Sequence, residues 1–357
     1  ALSSAASDVY KRQAYNEEQN INGILECIKN QDYDHNNMEV VLVDGASTDN
    51  TRALMCEFAL DNKDEFRRVV VLDNPKKTLP SGWNVALREY KGDAIIKVDA
   101  HAVIPEDFVS KNVRVLETGE YICGGQRPNI IDKPTPFKET LLLAESSMFG
   151  SSIASYRNNP GKTYVKSLFH AAYRREVFEK VGFFNEELVR TEDNEIHYRM
   201  RKAGYKLCFD PDIISYQYTR SSLKAMLKQK YANGYWIGKT SKVCPKCLSI
   251  YHFVPFAFVS AIIASGSVIG ATGLAECIKK RHNHTLGKGI SALRKVTVVL
   301  TTVMWVLYAL MASGMAAVSA FKAEDKRNIT NACLPVLFLL LHLSCLLYTS
   351  PSPRDRG

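Results

Sequence analysis

Asp99 and His101 are the side chains of this sequence whose types and spacing most directly suggest chemistry. They follow residues 94–98, a short apolar run rich in β-branched side chains, which predicts a buried strand. A carboxylate and an imidazole two residues apart can bind a hard divalent cation and, through it, a phosphate group. Considered alone, the same residues also fit a polar turn, so their role depends on which other residues the fold places beside them.

Two more polar clusters stand in equivalent positions. Asn16 and Glu17 precede a helical pattern, and Asp44 ends a second apolar run, residues 38–43. Strands that alternate with helices predict a parallel sheet with right-handed crossovers, whose strands end at one ligand-binding edge. We therefore expect these residues and Asp99 to lie along the same edge.

A further acidic pair, Glu192 and Asp193, begins a predicted helix that Gly204 ends. The helix dipole favours acidic side chains in a first helical turn. On spacing alone, the two carboxylates therefore need no chemical role.

Composition limits the class of protein. The 357 residues carry a formal net charge of +9, and only the last third contains long apolar runs. The positive charge suits phosphate-bearing ligands or an anionic membrane surface. Lys and Arg are dispersed and form no nucleic-acid motif, so we expect no nucleic-acid partner. Nine cysteines without regular spacing predict reduced thiols.

The last third predicts membrane association. Residues 250–273 and 296–320 are each long enough to cross a bilayer, and residues 332–347 form a third, shorter segment. We expect two or three transmembrane helices within residues 248–347. Before them, residues 221–247 combine lysines with aromatic side chains, which predicts an amphipathic helix in the membrane interface. Basic residues flank the first span on both sides, so it is transmembrane, re-entrant or located in the membrane interface.

The two ends of the chain differ from the rest of the sequence. Residues 1–13 and 348–357 lack periodicity and resemble translated adapter sequence, so we exclude them from the predicted fold. The globular domain is then expected to span residues 14–220 and to lack the strand that would precede Tyr15. A chain without a central strand is expected to fold poorly.

Together, these residues resemble family 2 glycosyltransferases. The matching segments are YNEE at 15–18, VDGASTDNT at 43–51, VDAH at 98–101, AYRREVF at 172–178, VGFFNE at 181–186 and TED at 191–193. Each segment is weak alone, but their order and spacing are specific. The Asp-Ala-His form and the apolar C-terminal segments resemble the membrane-bound, succinoglycan-type branch of bacterial exopolysaccharide synthesis.

The resemblance implies a GT-A fold, a mostly parallel Rossmann-like sheet flanked by helices and followed by transmembrane helices. It implies inverting transfer of a sugar from a nucleotide donor, expected to be UDP-linked, to a lipid-linked or glycan hydroxyl. The implied cofactor is Mg²⁺ or Mn²⁺. The implied location is a membrane, expected to be the bacterial inner membrane, with the catalytic domain on its cytoplasmic face.

The resemblance also implies roles for individual residues. Asn16, Glu17 and Asp44 would line the nucleoside pocket, with Asp44 accepting a hydrogen bond from the uracil N–H. Asp99 would bind the metal ion that bridges the donor diphosphate. Asp193 would be the general base that deprotonates the acceptor hydroxyl.

The acceptor side and the metal ligands are less defined. Glu192, Arg174, Arg175 and Trp236 are candidates for the acceptor or phosphate side, and Trp236 fits an interfacial anchor equally well. The common metal motif ends in Asp, whereas this sequence has His101, which is a metal ligand, a phosphate contact or neither. The alternative to an enzyme is a catalytically silent, membrane-tethered nucleotide-sugar-binding protein.

Overall fold

Eleven strands and eleven helices make up the part of the chain that the structure describes. This computed structural model covers residues 2–4, 15–150, 161–281, 288–323 and 325–345. The strands are β1 (Leu2–Ser4), β2 (Glu39–Asp44), β3 (Arg68–Asp73), β4 (Ala94–Val98), β5 (Ala102–Val103), β6 (Ile122–Gln126), β7 (Asn129–Ile130), β8 (Thr163–Val165), β9 (Ala172–Arg174), β10 (Leu207–Ile214) and β11 (Tyr216–Tyr218). The helices are α1 (Ile21–Lys29), α2 (Thr51–Asp61), α3 (Leu79–Glu89), α4 (Phe108–Glu117), α5 (Pro136–Ser146), α6 (Arg175–Val181), α7 (Glu192–Lys202), α8 (Leu223–Val243), α9 (Val254–Arg281), α10 (Lys288–Phe321) and α11 (Leu334–Ser344).

The larger sheet has the strand order β3-β2-β1-β4-β9-β6-β10-β8, and β5, β11 and β7 form a small second sheet. The pairs from β3 to β4 are parallel, and so is β6 with β10, whereas β9 is antiparallel to β4 and β6 and β8 is antiparallel to β10. The predicted α/β architecture is confirmed, but the sheet is mixed rather than purely parallel. The reason is that the chain enters β9 at the carboxyl edge, with Ala172 opposite Ile96, and therefore runs back along β4.

Alternate residues of β2 and β4 face two separate hydrophobic cores. Val40, Leu42 and Ile96 pack in the core that includes α1, α2 and α4. Val41 and Ile95 pack in the core that includes α3, α6 and α7. Because both faces of these strands are buried, β2 is continuously apolar at residues 40–43, and β4 is apolar except at Lys97.

Strand β1 lies at the centre of the sheet between β2 and β4. Its backbone pairs in parallel with both neighbours, with Leu2 opposite Val40 and Ile96. The prediction that the central strand is missing is therefore wrong, because Leu2–Ser4 form it. The predicted poor folding rested on that missing strand and is no longer expected. A short strand needs only backbone hydrogen bonds to occupy such a position, so composition does not reveal it. The adapter origin of residues 1–13 and 348–357 stays a prediction.

Helices α9 and α10 are long and apolar enough to cross a membrane, and they are the two such helices among the described residues. Almost none of either apolar stretch is buried against the rest of the protein. Helix α11 is shorter, with 11 residues. That length is about 16 Å at the helical rise, roughly half of the hydrocarbon thickness of a bilayer. The third predicted segment, residues 332–347, thus contains a short helix, and residues 346–347 lie outside the described region.

Helix α11 packs against α5, α8 and α10 through an apolar cluster that includes Leu141, Met226 and Phe338. Gly234 permits a close approach of α8, because a Cβ there would lie 1.7 Å from the carbonyl oxygen of Cys345. The C-terminal helices are therefore attached to the sheet domain through α5 and α8.

Gly125 also permits a close backbone approach, here inside the sheet. An added Cβ would lie 2.0 Å from the backbone carbonyl oxygen of Ile213, beside the register shift of β10. We expect Gly125→Ala to lower the free energy of unfolding by about 2–3 kcal/mol, because backbone cannot yield cheaply. The measurement is the unfolding midpoint of detergent-solubilised protein. Gly124→Ala, whose Cβ meets its nearest atom at 3.4 Å, is the matched control; equal losses in the two variants would contradict this account.

Candidate active site

Asp44 ends β2 with a buried carboxylate at the carboxyl edge of the sheet. Its Oδ2 accepts a hydrogen bond from the backbone N–H of Ser47 at 3.0 Å. Its Oδ1 is buried and has no hydrogen-bond partner among the described residues. A buried carboxylate oxygen without a donor is costly unless a ligand supplies one. Asp44 therefore offers an acceptor to a ligand N–H or O–H.

Asn16 and Glu17 lie against the loop that follows Asp44. The Asn16 side chain donates from Nδ2 to Thr48 Oγ1 at 3.1 Å and accepts from the Thr48 backbone N–H at 2.9 Å. The backbone N–H of Glu17 donates to Thr51 Oγ1 at 2.8 Å. Asn16 has a φ of 58°, a left-handed conformation that Asn tolerates better than most residues. These residues thus lie beside Asp44, as expected.

Asp99 follows β4 at the same edge, two strands away from Asp44. The pairing of β1 with both neighbours places Val98 level with Leu42. At the usual spacing between strands, the ends of β2 and β4 are roughly 10 Å apart. That separation suits a ligand that extends from one acid to the other.

Imidazole and ammonium groups surround the Asp99 carboxylate. Burial raises the pKa of Asp99, but His170, His101 and Lys97 outweigh burial and lower that pKa to about 2. The closest of these groups is His170, whose Nε2 lies 3.6 Å from Asp99 Oδ2. Asp99 is therefore ionised at neutral pH despite its burial.

His101 lies between Asp99 and the small second sheet. Its Nε2 is 3.0 Å from the side-chain amide nitrogen of Gln217 on β11. Burial lowers the pKa of His101, and the charges of Asp99 and Glu17 oppose that shift. His101 thus lies close to Asp99 and Glu17, and its Nε2 already contacts the side-chain amide of Gln217.

Lys97 joins β4 to the first turn of α7. Its Nζ lies 2.5 Å from Asp193 Oδ1 and 3.6 Å from Glu192 Oε1, beneath two aromatic rings. Burial lowers the pKa of Lys97, but the charges of Asp193, Glu192 and Asp99 raise it overall. The acidic pair of α7 and the acid of β4 therefore belong to one charged cluster, and matching to the helix dipole is not the only role of the pair.

Glu192 and Asp193 differ within this cluster. Burial and the neighbouring charge of Asp193 raise the pKa of Glu192 to about 8, although Lys97 opposes the shift. Glu192 Oε2 is buried without a hydrogen-bond partner in the described part of the chain. Glu192 therefore holds its proton more strongly than an exposed glutamate does, whereas the Asp193 carboxylate accepts a hydrogen bond from Lys97.

Helix α8 reaches the same turn of α7. Thr191 and Thr240 share a short hydrogen bond between their hydroxyl groups, and Thr240 Oγ1 also donates to the carbonyl oxygen of Trp236 at 2.7 Å. The Trp236 ring packs edge-on against Tyr235 at 5.6 Å and beneath Lys239 at 5.0 Å. Trp236 therefore lies one helical turn from the α7 contact, and its ring packs against neighbours on its own helix.

Arg174 and Arg175 lie at the opposite edge of the sheet, where Arg174 pairs with Ala94 at the start of β4. The Arg174 guanidinium donates to backbone carbonyls at the end of α4, and that of Arg175 donates to carbonyls just after α3. The expected acceptor or phosphate role is therefore wrong for both arginines, because they fasten loops on the far side of the sheet.

Three residues near the site were not among those predicted. Lys97 carries a signal in the sequence, since a lysine inside a buried strand requires a partner. His170, which lies before β9, and Arg220, which follows β11, carry no such signal. The charge of Arg220 acts on His101, so a cation stands on the side of the small sheet.

A divalent cation fits these residues with help from a ligand. No group of three or more His, Cys, Asp or Glu side chains within the described ranges is arranged around one point. Asp99 nevertheless faces the imidazole nitrogen Nε2 of His170, which is buried and makes no hydrogen bond to the described residues. Carboxylate oxygen and imidazole nitrogen suit Mn²⁺, and a bound diphosphate can complete the coordination.

A mixed α/β sheet flanked by helices, with two long apolar helices after it, belongs to the GT-A class of fold. The mannosyltransferase PcManGT from Pyrobaculum calidifontis, solved with GDP-Man and Mn²⁺, has a similar fold: the TM-score is 0.54 at 18% identity, over 96% of this chain and 89% of that one. Residues 13–182, just under half of the chain, match the sequence model described as glycosyl transferase family 2.

Two curated relatives are similar in sequence. Succinoglycan biosynthesis protein ExoA of Rhizobium meliloti (strain 1021) is 30% identical over 203 residues, which are 56% of this chain and 59% of ExoA. The dolichyl N-acetyl-alpha-D-glucosaminyl phosphate 3-beta-D-2,3-diacetamido-2,3-dideoxy-beta-D-glucuronosyltransferase of Methanococcus voltae is 27% identical over 257 residues, 70% of this chain and 78% of that protein. The chain thus spans less than two-thirds of the length of ExoA.

Lys97→Met tests the charged cluster. The change leaves Glu192 and Asp193 buried together without their cation, so we expect the free energy of unfolding to fall by about 3 kcal/mol. Chemical unfolding of detergent-solubilised protein measures the loss. Lys91→Met replaces an exposed lysine and should change stability by less than about 0.5 kcal/mol. A Lys97→Met protein as stable as the control would show that the ion pair does not hold α7 in place.

Proposed function

We propose that this protein is an inverting glycosyltransferase of surface polysaccharide synthesis. It moves a sugar from a nucleotide donor, UDP-linked, to a hydroxyl group of a lipid-linked or glycan acceptor. The observation that carries the proposal is the contact of Lys97 with Asp193, because it brings a helix-borne carboxylate to the strand that ends in Asp99. A base and a diphosphate-binding acid at one edge are what displacement of a nucleotide requires.

The donor base is proposed from the open oxygen of Asp44. A carboxylate oxygen without a partner accepts from an imide-type N–H, and uracil presents one at N3. Guanine presents a similar N–H at N1, and the structural neighbour from Pyrobaculum calidifontis was solved with GDP-Man. Uridine is the proposed base, and guanosine is the competitor to include in any test.

The proposed cofactor is Mn²⁺ or Mg²⁺, held at Asp99. When bound, such an ion neutralises charge on the departing nucleoside diphosphate. Asn16 and Glu17 contribute by shaping the loop after Asp44, which orients the nucleoside toward this edge.

Asp193 is proposed to take the proton from the acceptor hydroxyl. Inversion needs one base on the face of the sugar opposite the leaving group. Lys97 holds the Asp193 carboxylate in one orientation, and Glu192 lies beside it on the same lysine. The bond from the acceptor oxygen to the anomeric carbon forms as the bond to the diphosphate breaks.

The acceptor is proposed to be lipid-linked because the site adjoins the apolar helices. Thr240 on α8 touches Thr191 beside the base, and α8 packs on α11 and α5. Helices α9 and α10 expose their apolar side chains, as membrane-spanning helices do. We propose that both cross the membrane with the sheet domain on its cytoplasmic face, where Lys242, Lys246 and Lys322 flank them.

Transfer of radiolabelled hexose from UDP and GDP donors, with Mn²⁺ or Mg²⁺, in membranes that contain the full chain tests the proposal. Asp193→Asn should lower transfer to extracted lipid by roughly 10²–10⁴-fold, the usual effect of losing a general base. Asp212→Asn, an equivalent change at an exposed position, should leave transfer unchanged.

The alternative protein class predicts a different result. If nucleotide-sugar still binds but no donor gives an Asp193-dependent product, the protein is a silent, membrane-tethered binding protein. Product formed equally by the wild type and Asp193→Asn would show that another residue is the base.

A further inference from the structure

We propose that His170 is the imidazole ligand that joins Asp99 in holding the divalent ion, and that His101 supports this site from outside through Gln217. The inference deepens the proposed function and rests on it. His170 belongs to none of the sequence motifs. In this proposal His101, the histidine of the Asp-Ala-His motif, does not bind the ion.

His170 is held in an unusual and fully enclosed position. Its φ is 46°, in the left-handed region that few non-glycine residues adopt, and the residue is 2% exposed. Strained backbone of this kind persists where the surrounding structure fixes it, often at a functional site. The ring lies 4.7 Å from that of Phe169 between centroids, and its Nδ1 is 2.9 Å from Ser215 Oγ. The imidazole is therefore oriented from two sides.

The remaining nitrogen of His170 faces Asp99 without a bond. Nε2 lies 3.6 Å from Asp99 Oδ2, which is too long for a hydrogen bond, and it has no other partner in the described ranges. In the tautomer whose Nδ1–H donates to Ser215 Oγ, Nε2 presents a lone pair toward the Asp99 carboxylate, and a cation between the two atoms would bind both. Two ligands of one ion, each bound at about 2.1 Å, stand about 3–4 Å apart.

Ser215 completes the pattern. A histidine that binds a metal ion almost always fixes its second ring nitrogen through a hydrogen bond, which selects the tautomer and aims the ring. Ser215 is buried and its hydroxyl supplies that contact. It lies between β10 and β11, so the small second sheet helps to orient the ligand.

His101 lacks this arrangement. Its Nε2 is already engaged by the side-chain amide of Gln217, on the strand that pairs with β5. It is close enough to Asp99 to favour the ionised carboxylate, but its engaged nitrogen joins it to the small sheet. We therefore infer that His101 fixes the loop between β4 and β5 rather than contacting the ion.

Binding of Mn²⁺ alone to detergent-solubilised full-length protein, followed by electron paramagnetic resonance of the free ion, tests the inference. His170→Asn is the main variant, because Asn removes the imidazole and tolerates the left-handed backbone. We expect it to weaken Mn²⁺ binding at least 10-fold, Ser215→Ala to weaken it to a smaller degree, and His101→Asn to change it less than about 3-fold.

Unchanged Mn²⁺ affinity in His170→Asn, or a larger loss in His101→Asn, overturns the inference. The unfolding temperature of each variant is measured alongside. If His170→Asn does not fold, Ser215→Ala decides, and unchanged Mn²⁺ binding there also overturns it. The assay contains neither donor nor acceptor, so its outcome is separate from that of sugar transfer. Asp193-dependent transfer with unaffected Mn²⁺ binding in His170→Asn would leave the function standing and remove the metal role of His170.

Discussion

The ammonium group of Lys97 is buried in the sheet domain, and a buried cation is tolerated only with carboxylates around it. That requirement fixes the first turn of α7 against β4 through Asp193 and Glu192. Such a pair adds little net stability, because desolvation offsets the attraction. The pair instead fixes the positions of the two elements. Asp99, which follows β4, and Asp193, in the first turn of α7, are almost a hundred positions apart in sequence, and Lys97 sets the geometry between them.

The placement of Asp44 and Asp99 could be predicted because it depends on local pattern. Alternating strands and helices place Asp44 and Asp99 at one edge whatever the details of packing. The direction of β9 could not be predicted, since it depends on where the chain re-enters the sheet after α5. The apolar pattern of residues 168–175 suggests a longer strand, but the left-handed backbone of His170 restricts pairing to Ala172–Arg174. The arginines that follow are consequently carried to the far edge.

In the apolar C-terminal part, too, the sequence predicts what depends on local pattern and not what depends on contacts between distant residues. Length and apolar content identify α9 and α10, but they cannot distinguish a short span from a short packed helix at residues 334–344. The structure adds the contacts that this helix makes with the rest of the protein. His342 Nε2 lies 2.7 Å from the Phe149 carbonyl oxygen, and its Nδ1 lies 3.0 Å from the Tyr308 hydroxyl. Helix α11 is thereby fastened to α10 and to the segment after α5, which makes it a connector between the two parts of the protein.

Among the described residues, three of the buried polar atoms that lack a hydrogen-bond partner lie at the candidate site: Asp44 Oδ1, His170 Nε2 and Glu192 Oε2. Each costs about 1–3 kcal/mol while it remains unpaired. A chain that needed only to fold would gain stability by replacing them with apolar groups. A ligand that carries an N–H donor, then a cation on a diphosphate, then a hydroxyl group would satisfy them in that order. The cost is accepted in the free protein because polar groups already fixed in place need no reorganisation when charge develops on the ligand.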